Sequence, residues 1–293
     1  MNFSQIIGNE PIKQLLTKTI KNKTNIHSYL FIGQEGIGKS LFAKEFAKAL
    51  LCLEEEKPCN KCKACIEFET SNNPDYNEIT TQENSIKIEQ IRLMQSKVAE
   101  KPIISNKKIY IINDSEKMTK EAQNCLLKTL EEPPEYITII LITSNESMIL
   151  NTVKSRCTKI NFNPIEDNIL KKYLEEKQGF QNITQSMLKA YSGSIKKAIE
   201  MNEKKEIYTE LDKYFCNIEN YKIVDVLNKI ECLYKNKENI QEMLDYINTI
   251  LFEKAKTNIK YIQHIEQIEK TKQKIKQNAN YDMTIDNLLL NIF

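Results

Sequence analysis

The chain has 293 residues, 28% of them charged and 41% hydrophobic, and a formal net charge of +2. That length is enough for two or three domains of a globular protein. The near-neutral charge argues against strong autonomous binding to nucleic acid. The longest apolar runs, such as Ile137 to Ile142, are too short to cross a bilayer. The opening MNFSQIIGNEPIK carries no apolar run of signal-peptide length, so a cytoplasmic location without a membrane partner is expected.

The elements alternate along the first half. A helix is expected from Glu10 to about Lys21, and SYLFI (28–32) reads as a short buried strand. LFAKEFAKALL (41–51) and EQIRLMQSKV (89–98) place apolar residues three and four apart, as amphipathic helices do. KIYII (108–112) is a strand, and EAQNCLLKTLEE (121–132) is a helix stopped by Pro133 and Pro134. ITIILIT (137–143) is rich in β-branched residues and reads as a strand, with KINF (159–162) as another. Such alternation predicts a parallel sheet covered by helices on both faces.

After Pro164 the strand signals stop. Residues 165–202 hold two or three short helices, with YSGS (191–194) as a break. The remainder is lysine-rich and helical in pattern, with an apolar stripe at Ile223, Val226, Leu227 and Ile230. KTNIKYIQHIEQIEKTKQKIKQNAN (256–280) is polar enough to be a solvated helix. The fold class is therefore α/β followed by all-α.

FIGQEGIGKS (31–40) contains the pattern G-x-x-x-x-G-K-S between an expected strand and an expected helix. Gly33, Gly36 and Gly38 are three of only six glycines in the chain. Glycines let the backbone turn so that N–H groups face phosphate oxygens, and the helix N-terminus favours the anion. Lys39 would reach the β- and γ-phosphates of ATP, and Ser40 would ligate magnesium. Asp114, at the end of the 108–112 strand, fits the second magnesium-site carboxylate, or else an N-cap for the segment after it. The next residue, Ser115, stands where a working ATPase of this layout has a water-activating glutamate; Glu116 is one position too far along. Thr143 is either a polar sensor or a cap at the strand end.

Cys52, Cys59, Cys62 and Cys65 lie in CLEEEKPCNKCKAC. Closely spaced cysteines in a cytoplasmic chain suggest a metal, and four thiolates match tetrahedral zinc in a closed, structural site. The other cysteines are scattered, and Cys125 reads as a small core residue. Of the 42 Lys plus Arg, only Arg92 and Arg156 are arginine, and lysine cannot reproduce the planar guanidinium fork. Arg92 is read as pairing locally near a helix start.

HSYLFIGQEGIGKS, the four-cysteine insertion, IKIEQIR (86–92), IYIINDSEKMT, EAQNCLLKTLEEPP (121–134) and VKSRC (153–157) occur in this order. Together they resemble the AAA+ clamp-loader family of bacterial DNA polymerase III, in its delta-prime branch, over about residues 3–200. The resemblance implies an AAA+ nucleotide-binding domain at 1–163 with a zinc module at 52–65. It further implies a helical lid at 164–203 and a helical collar at 204–293. It implies a five-membered ring with gamma/tau and delta subunits that uses ATP to place the sliding clamp on primed DNA. In that ring Arg156 of Ser155-Arg156-Cys157 would be an arginine finger for a neighbour's nucleotide.

The gamma/tau motor subunit is the close competitor. The Asp114-Ser115 pair, Lys196 in GSIKKA (193–198), the N-terminal sequence and the length lean away from it. The chain is therefore expected to bind ATP without efficient turnover by itself. An active ATPase using Glu116, or a zinc-stabilised scaffold with a vestigial nucleotide site, are the alternatives.

Overall fold

The computed structural model describes the chain apart from residues 1, 2, 4, 5, 23 and 227–229, and apart from the side chain at 225. Leu227 of the expected apolar stripe thus lies outside the described residues. The chain divides into two compact units, Met1–Ile169 and Leu170–Phe293.

The first unit runs α1 (Glu10–Lys21), β1 (Ser28–Ile32), α2 (Lys39–Leu51), α3 (Lys63–Glu69), β2 (Tyr76–Ile79) and α4 (Ile88–Val98). It continues with β3 (Lys108–Ile112), α5 (Lys120–Glu131), β4 (Ile137–Thr143), α6 (Asn151–Lys154) and β5 (Thr158–Asn161). The sheet has the order β2-β3-β4-β1-β5, and every pairing is parallel. β3 and β4 are buried at every residue, so apart from Lys108, Thr138 and Thr143 their sequences are apolar. The expected strands and long helices of this half are all present, within about two residues at their ends. β2 has no counterpart in the expectations, because YNEI is a half-buried four-residue edge strand with little pattern to detect.

Successive strand residues point to opposite faces. One face gathers Tyr29, Phe31, Ile109, Ile111, Ile140 and Ile142 against Leu16 of α1 and Phe42 and Phe46 of α2. The other gathers Leu30, Tyr110, Ile112, Ile139 and Leu141 against Ile91 and Met94 of α4 and Leu126 and Leu130 of α5. Thr119 caps α5, its side chain accepting a hydrogen bond from Ala122 N, and the helix ends just before Pro133 and Pro134.

The second unit, which the chain enters through α7 (Asp167–Gln178), holds α8 (Gln185–Tyr191), α9 (Ile195–Glu203), α10 (Lys205–Phe215) and α11 (Ile223–Val226). It closes with α12 (Glu231–Lys235), α13 (Ile240–Ala255), α14 (Tyr261–Lys276) and α15 (Tyr281–Ile292). Ser192 and Gly193 in left-handed conformation make the expected break after α8. α13 packs against both α8 and α10. Buried Asp212 ties the three together, accepting from Thr184 Oγ1 at 2.7 Å and Tyr246 Oη at 2.6 Å. The segments on either side of residue 203 therefore pack together within this unit.

The solvated helix expected within 256–280 is corrected by α14. That helix packs between α13 and α15 and buries Tyr261, Ile268, Thr271 and Lys272. The lysine stem is apolar, and its ammonium reaches Asp245 and Glu269, both at 2.6 Å. No helix among the described residues is long and apolar enough to cross a membrane.

One buried carboxylate fixes the long connection into β3. Asp75 is fully buried, and its carboxylate accepts the backbone N–H groups of Ile103, Ile104 and Ser105 at 2.7 to 2.8 Å. Its own carbonyl accepts from Ile109 N, which starts the β2–β3 pairing. Replacing the carboxylate would strand three donors, two of them in a well-covered loop. Asp75→Ala is expected to destabilise the first unit by about 3 kcal/mol or more, with Asp75→Asn between the two. Urea unfolding followed by circular dichroism checks this ordering.

Candidate functional site: a phosphate loop, a thiolate cluster and a paired arginine

The phosphate loop connects β1 to α2, and its glycines serve different needs. A Cβ on Gly33 would lie 2.8 Å from the Phe162 carbonyl oxygen and 2.8 Å from Ile37 Cδ1, so only glycine fits. Gly36 and Gly38 have φ of 78° and 95°, a region that side chains disfavour. Lys39 and Ser40 then open α2, with the helix N-terminus facing the loop. The Lys39 ammonium is largely buried and donates to Gly33 O at 2.6 Å and Gln34 O at 2.7 Å. Burial pushes its pKa down, while the carboxylates of Glu116, Glu35 and Asp114 oppose that shift. A phosphate arriving in the loop could take over the place of those carbonyls and restore a full charge partner.

The ends of β1, β3 and β4 bring the remaining polar groups together. Ser40 Oγ donates to Asn113 Oδ1 at 3.0 Å. The sequence reading gave Asp114 as the magnesium-site carboxylate with Ser40, whereas the side chain hydrogen-bonded to Ser40 is that of Asn113. β3 ends at Ile112, so the first residue beyond it, Asn113, faces α2. Asp114 follows with φ 48° and ψ 46°, a left-handed turn that carries its half-exposed side chain to Lys117 at 3.1 Å. Asn113 was missed because an amide drew no attention beside an acid; the strand boundary alone could have found it.

Ser115 is fully buried, and its hydroxyl donates to Ile142 O at 2.9 Å. It ties the turn after β3 to the end of β4. Glu116 Oε1 accepts from both the backbone N–H (3.1 Å) and the hydroxyl of Ser144. Thr143 Oγ1 accepts from Asn145 N at 3.1 Å, which makes it the cap at the end of β4. Ser144, unmarked in the sequence, is the hydroxyl beyond that strand that engages an acid.

The four cysteines form a cluster. Their Sγ atoms all lie within 4.8 Å of one another, and Cys52 and Cys62 are 4.0 Å apart. A tetrahedron with metal–sulfur bonds of ~2.3 Å has edges near ~3.8 Å, so the donor set fits zinc with a slight contraction. Cys52 ends α2, Cys62 precedes α3 and Cys65 lies on it, so the cluster joins two helices. Asn60 in left-handed conformation turns the loop between them. N–H groups of Lys61 and Cys62 hold the Cys59 thiol down at about 6, whereas burial pushes Cys65 up to about 12. A divalent cation is the partner that would make all four thiolates favourable together. Cys125 stands apart on α5, its Sγ donating to Gln95 Oε1.

Arg156 follows α6. Its Nη2 meets Glu131 Oε1 at 2.6 Å, and its Nη1 donates to Thr152 O at 2.9 Å. Arg92 stands exposed in the second turn of α4. Lys196 lies on α9, 3.8 Å from Glu200.

Comparison with known proteins places this arrangement. Residues 8–166 match the family described as DNA polymerase III, delta subunit. The chain is 31% identical over 209 residues to the DNA polymerase III subunit tau/gamma of Haemophilus influenzae, covering 69% of this chain and 30% of that protein. It is 33% identical over 196 residues to the DNA polymerase III subunit delta' of Bacillus subtilis, covering 67% of this chain and 59% of that protein. The matched segments thus span less than two thirds of either relative. A solved gamma subunit-related protein of Thermotoga maritima aligns over 96% of both chains, with 18% identity and a TM-score of 0.47. More than half of the chain lies within the matched family segment, and the chain therefore belongs to the AAA+ clamp-loader family of DNA polymerase III.

Proposed function

We propose that this chain is a delta-prime-type clamp-loader subunit that binds ATP without hydrolysing it efficiently and offers Arg156 to a neighbouring ATPase subunit. One observation carries the reading: the group against Ser40 is the neutral amide of Asn113. In a hydrolytic site that position carries the carboxylate that supports magnesium. Glu116, the base that the sequence reading considered, spends one oxygen on two donors of Ser144. Gly33, Gly36, Gly38, Lys39 and Ser40 would cradle the phosphates, and Asp114 is close enough to Lys39 to add to the field there. Magnesium would neutralise phosphate charge when bound with the nucleotide.

The partners in this reading are gamma/tau and delta subunits in a five-membered ring, with the sliding clamp and primed DNA reached through the complex. The lid (164–203) and collar (204–293) would be its moving and assembling parts. An active gamma/tau-like ATPase is the second reading, favoured by the intact loop and by the equal similarity to tau/gamma relatives. The two readings part in a direct measurement. The isolated chain is expected to bind ATP by calorimetry, to lose that binding in Lys39→Ala, and to show no steady-state turnover. Turnover that disappears with Lys39→Ala would favour the second reading.

An arginine finger is worth ~10³–10⁵ in rate. In a reconstituted complex, Arg156→Ala is expected to cut the partner's ATP hydrolysis by at least about a hundredfold while leaving nucleotide binding by this chain intact. Unchanged hydrolysis would remove Arg156 from the mechanism.

For the cysteine cluster, Cys52, Cys59, Cys62 and Cys65 would hold zinc as a closed structural site. Elemental analysis of purified protein is expected to give about one zinc per chain. Cys62→Ser should lose the metal and lower the melting temperature. Metal-free protein with the wild-type melting temperature would overturn this assignment.

A further inference from the structure

Arg156 and Glu131 sit in the two most specific stretches of the sequence, SRC and LLKTLEEPP, and the fold joins them. Glu131 is the last residue of α5, and α5 packs against α6. Both helices are anchored in one core, through Leu126, Leu130 and Val153. The guanidinium of Arg156 bridges their ends. Nη2 contacts the Glu131 carboxylate at 2.6 Å. Nη1 donates to Thr152 O, 2.9 Å away, with Ser155 Oγ at 3.4 Å. Thr152 O, which lies on this four-residue helix, also accepts from Ser155 Oγ at 3.1 Å, so the fork shares an acceptor already fixed in place.

The pair is open to solvent: 34% of the Arg156 side chain and 48% of the Glu131 side chain remain exposed. An exposed ion pair of this kind adds little to folding stability. Its geometry has another consequence. A long arginine side chain samples many rotamers, and a group acting in trans must be held in one of them. Two contacts from two rigid helix ends fix the guanidinium plane before any partner arrives. A lysine ammonium has no planar fork with which to set such an orientation. Arg156 is one of two arginines in the chain, and it stands where a fork is used.

We propose that Glu131 is the positioning residue for Arg156, presetting its guanidinium for the nucleotide of a neighbouring subunit. The inference rests on reading Arg156 as a finger. Glu131 touches no nucleotide; it acts only through the arginine.

The test uses the complex of this chain with its ATPase subunits. Glu131→Ala is expected to lower kcat for ATP hydrolysis by about fivefold, the scale of an exposed ion pair, with KM unchanged. Glu131→Gln, which keeps an acceptor oxygen at the same reach, should recover part of the loss. On an Arg156→Ala background, Glu131→Ala should have no further effect. The melting temperature of the isolated variant chain should match wild type. A rise in kcat, no change, or an equal loss on the Arg156→Ala background would each overturn the positioning role. If Arg156→Ala alone leaves kcat unchanged, the finger reading itself fails and the proposal falls with it.

Discussion

The parallel pairing of β4 between β1 and β3 is the constraint on which the site depends. β4 is buried along its whole length, and its register with both neighbours is set by backbone hydrogen bonds. Parallel pairing places the carboxyl ends of β1, β3 and β4 side by side. The phosphate loop leaves β1, Asn113 leaves β3 and Ser144 leaves β4, so three short polar segments meet at one edge. A slip of one residue in β3 would turn its core side chains to the other face, at the loss of several fully buried Ile and Tyr contacts. The position of Asn113 against Ser40 is therefore held by hydrophobic burial some distance away.

Electrostatics at this edge differ from a simple phosphate trap. The Lys39 ammonium is buried and satisfied by loop carbonyls, with three acidic side chains in its field. None of the three is the group that touches Ser40. Asp114 is drawn outward to Lys117, and Glu116 is drawn across to Ser144. Asp114 and Glu116 each have a structural partner, though the second oxygen of Glu116 is buried without one. Arg156 is held at a different place, where α5 and α6 end.

The cysteine cluster lies between two helices of the first unit. It joins the end of α2, whose first residues are Lys39 and Ser40, to α3 and from there to Asn73 and Asp75. Asp75 in turn fixes the loop that delivers β3. A metal in the cluster would thus stiffen the path from the phosphate loop to the strand that carries Asn113. The path runs through covalent chain and buried hydrogen bonds within one unit.

Much of this was legible in the sequence, and for clear reasons. Continuous apolar runs bounded by turn residues marked β1, β3 and β4. Glycine spacing marked the phosphate loop, and cysteine spacing marked the cluster, since both depend on local backbone geometry. Family membership followed from motif order. The edge strand β2 and the buried face of α14 were not legible, because a half-buried edge and a helix rich in lysine stems carry weak periodicity. What only the tertiary structure decided is which side chain meets which across strand ends. Asn113 rather than Asp114 at Ser40, Ser144 as the partner of Glu116, and Glu131 at Arg156 all join residues separated by 25 to 73 positions. Such pairs are fixed by sheet register and helix packing, where one residue of offset reverses direction, and no local pattern records that choice.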